Sequence, residues 1–301
     1  MRSEARRFPL IAKMLRSLLI LVLLLGTGST ASAGNSVINY LPYTVKSWVY
    51  ALGNITGTVS DAVDLHPVDN VKVCYKDTCT TTKDGGKYTL TGLPPQHVIL
   101  DATDDVENYI PQTADITVVG KETVTLNIVI SKQLVENNVR LRFIVTWRTE
   151  PSWPPLGVAN DLDSELWVIG DPGHALSFHV DPSQDNRGDC SGPFPDACIE
   201  VDTTTGAGPE TVDVRNTLGY TTYYFGIDNV NSSYLGVPPI TQSIAKVQVY
   251  TTDGLAQTFE VPTVGSGELW YVFKFDTSET FTATNCLTTM PGDWLEPPTC
   301  P

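Results

Sequence analysis

Thr123-Val-Thr-Leu-Asn-Ile-Val-Ile130 places Val124, Leu126, Ile128 and Ile130 at every second position. A period of two puts all four on one face of a strand, whereas a helix would scatter them. Upstream of it come short β-prone runs: Ile55-Thr-Gly-Thr-Val59, Val71-Lys-Val73, Thr80 to Thr82, Lys87-Tyr-Thr-Leu90, Val98-Ile-Leu100 and Ile116-Thr-Val118. Asp84-Gly85-Gly86 and Gly92-Leu93-Pro94-Pro95 punctuate them as turns. Strands this short at such close spacing predict a β-sandwich over 54–131.

The same reading carries on downstream. Val139-Arg-Leu-Arg-Phe-Ile-Val-Thr-Trp147 alternates Leu141, Phe143 and Val145, which predicts a half-buried strand. Further strands are expected at Asp161 to Trp167, Leu176 to Val180, Thr211 to Val214, Thr221 to Ile227, Ala245 to Tyr250, Thr258 to Val261 and Leu269 to Phe275. No segment sustains an apolar period of 3.6, so a second β-sandwich is expected over 137–285. The fold class is therefore all-β, two tandem β-sandwich domains behind a signal peptide.

That leader is read over residues 1–33. Arg2, Arg6, Arg7, Lys13 and Arg16 form a basic head, Leu18 to Leu25 an apolar run, and Ala31-Ser32-Ala33 a small-residue cleavage pattern. The apolar run is shorter than the ~20 residues that span a bilayer, so no transmembrane anchor is expected. Residues 34–53, with Tyr40, Tyr43, Trp48 and Tyr50, read as an N-terminal arm, and 286–301 as a C-terminal tail. Removing the leader takes five of the 19 basic and one of the 34 acidic residues, which leaves 14 against 33 and a formal charge of −19. An acid surface of that size repels phosphate backbones, so nucleic acid is excluded as a partner class, and divalent cations and neutral ligands fit better.

Six cysteines fall into three close pairs: Cys74 with Cys79, Cys190 with Cys198, and Cys286 with Cys300. Export favours disulfides, and local pairing is the simplest connectivity. A two-residue turn at Lys76-Asp77 would set Cys74 directly opposite Cys79, close enough for a bridge.

The stretch 54–131 resembles the carboxypeptidase regulatory-like domain, a transthyretin-like β-sandwich. The resemblance rests on Ile55-x-Gly57-x-Val59-x-Asp61, Val71-x-Val73, Asp84-Gly-x-x-Tyr88-x-Leu90-x-Gly92-Leu93 and the closing Thr123 strand. It implies a spacer or accessory unit without peptidase chemistry. The stretch 137–285 is similar to an uncharacterised β-domain of bacterial secreted proteins. That likeness rests on Asp161-Leu-Asp-Ser-x-Leu-Trp167, Val201-Asp-Thr-x-x-Gly206-x-Gly208-Pro209-Glu210 and Gly267-x-x-Trp270. It lends no function. The Asp-Leu-Asp start is also similar to calcium-binding proteins of the tellurite-resistance type.

The sharpest site candidate is acidic. Asp161 and Asp163 project from one strand face, and Asp202 and Glu210 flank the Gly206 to Pro209 turn. Calcium takes six to eight hard oxygens, and carboxylates from two loops supply several of them. The bland reading is that these acids are solvated strand ends. Trp153, in a Pro-rich loop, is the expected exposed aromatic for stacking on a sugar, while Trp167 and Trp270 read as core. Trp147, Trp153 and Trp167 cluster around the acidic strand start. Arg187-Gly188-Asp189 resembles an adhesion tripeptide, but three residues carry little specificity.

Catalysis has no motif behind it. Neither HExxH nor GxSxG occurs, and His66, His97, His174 and His179 fall in no ligand spacing. The expected function is a secreted, extracellular, non-catalytic binding, adhesion or structural display module, calcium-stabilised, with an extracellular protein or glycan as partner. The alternative is a carbohydrate-binding accessory protein.

Overall fold

A computed structural model describes residues 51–301 except 105–107, 135–138, 149–159, 171–176, 183–189, 191–195, 205–207, 218, 234–236 and 294. The expected leader, nearly all of the arm, Trp153, His174 and the Arg187-Gly-Asp tripeptide lie outside the described residues.

Eight strands build the first sandwich: β1 (Gly53–Asp61), β2 (Lys72–Tyr75), β3 (Thr78–Thr81), β4 (Lys87–Leu93), β5 (His97–Thr103), β6 (Gln112–Thr117), β7 (Thr123–Thr125) and β8 (Ile128–Ile130). One sheet runs β4-β1-β7 with β8 also on β1, and the other runs β3-β2-β5-β6. The inward faces supply a core of Ile55, Val59, Val73, Leu90, Leu100 and Ile128 with their neighbours. The continuous strand expected from Thr123 to Ile130 is broken at Leu126-Asn127. There the Leu126 carbonyl accepts from the buried Tyr88 hydroxyl at 2.6 Å, and Asn127 Oδ1 replaces a ladder acceptor for Thr58 N at 3.1 Å. Gly57 is required opposite, because a Cβ there would meet the Leu126 oxygen at 1.8 Å.

Ten strands build the second sandwich: β9 (Leu141–Thr146), β10 (Leu162–Gly170), β11 (Phe178–Val180), β12 (Ala197–Val201), β13 (Glu210–Val214), β14 (Tyr220–Asn229), β15 (Lys246–Thr251), β16 (Gly254–Glu260), β17 (Leu269–Asp276) and β18 (Phe281–Thr288). Their sheets run β11-β10-β14-β17-β18 and β12-β13-β9-β15-β16. An aromatic centre holds the sheets together: the Phe143 ring lies 4.9 Å from Phe225 and 5.2 Å from Phe273, tilted and edge-on. Each such fully buried side chain contributes about 1.5–3 kcal/mol. A 3₁₀ turn spans Ile240–Gln242, and among the described residues no helix is long and apolar enough to cross a membrane.

Three disulfides join Cys74 to Cys79, Cys190 to Cys198 and Cys286 to Cys300, as the spacing predicts. Cys74 and Cys79 are direct cross-strand partners across the Lys76-Asp77 turn, with Lys76 at φ 53°.

Strand β9 departs from the half-buried expectation: Leu141 to Val145 are all buried, on both faces. The two sandwiches belong to one compact unit, and the outer face of β13-β9-β15 packs on the first sandwich. Ile144 and Tyr250 join Ala62, Ile110 and Val129 in a small apolar cluster between them. Around it, Gln112 and Gln248 exchange amide hydrogen bonds of 2.5 and 2.8 Å, and Thr211 donates to the Ala62 carbonyl at 2.6 Å. Asp115 receives Lys246, Arg148 and His97. Burial opposes ionisation of that carboxyl, but hydrogen bonds from Lys246 and His97 and the cationic charge outweigh it and hold Asp115 down at about 2.

Candidate metal centre

Alternation along β10 sorts its side chains. Leu162, Leu166 and Val168 enter the aromatic core. Asp163, Glu165 and Trp167 take the opposite face. Strand β11 pairs with β10 only at Leu166, Trp167 and Val168, so the β10 edge is open nearer its start. Glu210, the first residue of β13, fills that opening: its Oε2 accepts from Ser164 N at 2.6 Å. The turn before Glu210 is closed by Thr203, whose hydroxyl donates to the Pro209 carbonyl at 2.6 Å. Gly208, at φ +76°, lies where a Cβ would stand 2.8 Å from the Trp147 ring.

This geometry brings Asp163, Asp202 and Glu210 together, with one carboxylate oxygen from each within 4.8 Å of the others. Asp161 stands just before β10, outside that triple, but its charge acts on Asp163. Across the ladder Asp163 faces Asp228 directly. Burial, then repulsion from Asp161, Asp202 and Asp228, pushes Asp163 up to about 7. Asp228 rises to about 6 through burial and the charge of Glu268. Burial, reinforced by nearby acids, raises Glu165 and Glu210 well above the usual range, although the Ser164 hydrogen bond pulls Glu210 the other way. Asp161 and Asp202 are raised as well, chiefly by burial.

Glu210 has zero exposed surface, and its Oε1 makes no hydrogen bond. Among the described residues, no Lys or Arg forms an ion pair with Asp161, Asp163, Glu165, Asp202, Glu210 or Asp228. Gathering acids in this way is costly unless a cation or protons compensate. The donors are hard oxygens from separate segments, the set that calcium takes.

Sequence reasoning named Asp161, Asp163, Asp202 and Glu210, set His179 aside for want of ligand spacing, and missed Glu165 and Asp228 of the same neighbourhood. The signal for Glu165 was the same two-residue step that links Asp161 to Asp163. Trp167, expected in the core, is 1% exposed, and Trp147, grouped with Trp153 at the acidic strand start, is 3% exposed and offers no open ring face. Trp147 instead donates its indole N–H to the Asn160 carbonyl at 3.2 Å.

No family model matches the chain, and no curated protein matches it. Solved structures of similar fold include a homologue of the telluride resistance protein TerD from Streptomyces coelicolor, at 16% identity over 52% of this chain and 92% of that one, TM-score 0.37. The major pilin subunit BcpA of Bacillus cereus, in a D312A variant, matches at 12% identity over 69% of this chain and 67% of that one, TM-score 0.26. Neither bears on what this chain binds.

Proposed function

We propose that this chain is a secreted, non-catalytic binding, adhesion or structural display module whose second sandwich is stabilised by calcium at Asp163, Asp202 and Glu210, with Asp161 at the rim. The observation that carries the calcium reading is the Glu210 carboxylate, fully buried beside two further acids with one oxygen unpartnered. Three disulfides suit an oxidising compartment, where calcium is available. The first sandwich then serves as a rigid accessory unit, in keeping with its resemblance to regulatory-like domains.

Thermal melts of the mature chain test this. Calcium binding only the folded state should raise the melting temperature, by linkage worth about 2.7 kcal/mol at a hundredfold excess over Kd. Asp163→Asn should remove that response, and Asp101→Asn, on β5 of the other sandwich, should keep it. A melting temperature unchanged by calcium or chelator, with no ion found by elemental analysis, overturns the calcium reading. Reproducible peptidase, esterase or glycosidase turnover, abolished by changing one acid, overturns the non-catalytic one.

A second reading, a carbohydrate-binding accessory protein, is favoured by a cleft of about 600 Å³ between the sandwiches. Thr58, Ser60, Asn127, Thr146, Arg148 and Lys246 line it with hydroxyls, an amide and cations suited to a polyhydroxylated ligand. Glycan-array binding that is lost in Asn127→Ala would favour it over a protein partner.

A further inference from the structure

Glu165 lies two residues beyond Asp163 on the same strand face, with its side chain 6% exposed. Its Oε2 sits 2.7 Å from Nε2 of His179 but without the alignment of a hydrogen bond. His179 is fixed by register, since β11 pairs it with Trp167, and its ring stacks on the indole with centroids 4.6 Å apart and planes at 15°. The other ring nitrogen, Nδ1, faces Asp181 Oδ2 at 3.5 Å. Each ring nitrogen of His179 thus has one carboxylate beside it.

We propose that Glu165, His179 and Asp181 form a second cation site for a divalent ion of the zinc class, next to the oxygen-only group and distinct from it. One ligand atom from each of the three lies within 4.8 Å of the others. Imidazole with carboxylates is a donor set zinc accepts, while calcium prefers oxygen throughout. Two carboxylates also neutralise the charge of one such ion. Strands β10 and β11 hold Glu165 and His179, and Asp181 directly follows β11, so the site is built before any ion arrives.

The test uses untagged mature protein, stripped with chelator, saturated with calcium and titrated calorimetrically with zinc. One zinc should bind per chain despite the calcium. His179→Gln should abolish that step and leave the calcium-dependent rise in melting temperature intact. His97→Gln, which alters only the exposed partner of Asp115, should bind zinc like wild type. Should His179→Gln fail to fold, the triple variant His66→Gln, His97→Gln, His174→Gln leaves His179 as the sole histidine. Loaded with one equivalent of Cu²⁺, it should show spin-echo modulation from the remote nitrogen of one imidazole. Absence of that modulation, zinc displaced completely by calcium, no zinc bound at all, or zinc binding unchanged in His179→Gln each overturns the proposal. Zinc binding without any calcium response would overturn the calcium reading alone.

Discussion

On the outer face of β13-β9-β15, Arg142 meets Asp213 through hydrogen bonds of 2.7 and 2.8 Å, and its remaining arm reaches Ser131 at 3.1 Å. On the outer face of β10-β14, Asp163 stands opposite Asp228, with Glu165 and Glu210 buried nearby and no Lys or Arg among the described residues paired to any of the four. Both faces lie away from the aromatic core, and both bury charge. The first supplies its own counter-charges from neighbouring strands and from the other sandwich. It therefore fixes how the two domains dock and needs nothing further. The second collects one sign only, and its stability depends on what the solution provides.

The largest effect that would break this contrast is expected at Arg142. Asp213 is fully buried, so Arg142→Met strands its charge, at a cost of about 3–5 kcal/mol by urea denaturation. Adding Asp213→Leu should restore most of that loss, because two apolar groups replace a matched pair. On the other face, Glu210→Gln in chelator should cost far less or nothing, since it removes an uncompensated charge. Equal losses at Arg142 and Glu210 would erase the distinction between the faces.

Acidity should separate the faces by sign. The folded values of Asp163 and Asp228, about 7 and about 6, lie above the unfolded value of about 3.9. Their contribution is therefore full below pH 4 and is lost as pH rises through 6 and 7. Asp115, held at about 2, contributes in the opposite sense: fully above pH 4, and lost as pH falls toward 2. In chelator the melting temperature should thus fall by several degrees from pH 5 to 7 and fall again on strong acidification. Calcium should flatten the neutral limb and leave the acid limb alone, and Asp115→Asn should weaken the acid limb only. A neutral limb that persists unchanged in calcium would detach these acids from any cation.

Much of this was legible because strand periodicity is local. Val124 and Ile128 announced a sandwich strand, and Asp161 with Asp163 announced an acidic face. Adjacent β-branched runs located most other strands. What escaped depends on partners distant in sequence. Strand β9 has the alternation of a half-buried strand, and only the first sandwich, packed on Ile144 and Arg142, buries its second face. Strand β18, Phe-Thr-Ala-Thr-Asn-Cys-Leu-Thr, is an exposed edge with little apolar pattern to read. Strand β12 starts inside the Cys190 to Cys198 loop, where turn residues mask it. His179 reads as an unremarkable residue of a short strand until register sets it against Trp167 and Glu165.

The smallest expected effect sharpens the comparison at the docked face. Gln112 Nε2 donates both to Gln248 Oε1, at 2.5 Å, and to the Tyr250 hydroxyl, at 2.9 Å. Tyr250→Phe deletes one of these bonds, yet Gln112 keeps its partner across the interface and no buried donor is orphaned. The loss should be that of one neutral hydrogen bond, about 0.5–1.5 kcal/mol. Gln248→Leu is different, because it removes both amide bonds at once, although Gln112 Oε1 keeps the Thr113 N–H at 2.9 Å and Nε2 keeps the Tyr250 hydroxyl. Its cost should exceed that of Tyr250→Phe by about one further neutral hydrogen bond, about 0.5–1.5 kcal/mol more. Urea midpoints at pH 7 in calcium would measure both. If the two variants lose the same stability, water reaches this junction and repairs it, and the docked face is less dry than its self-matched polar pairs require.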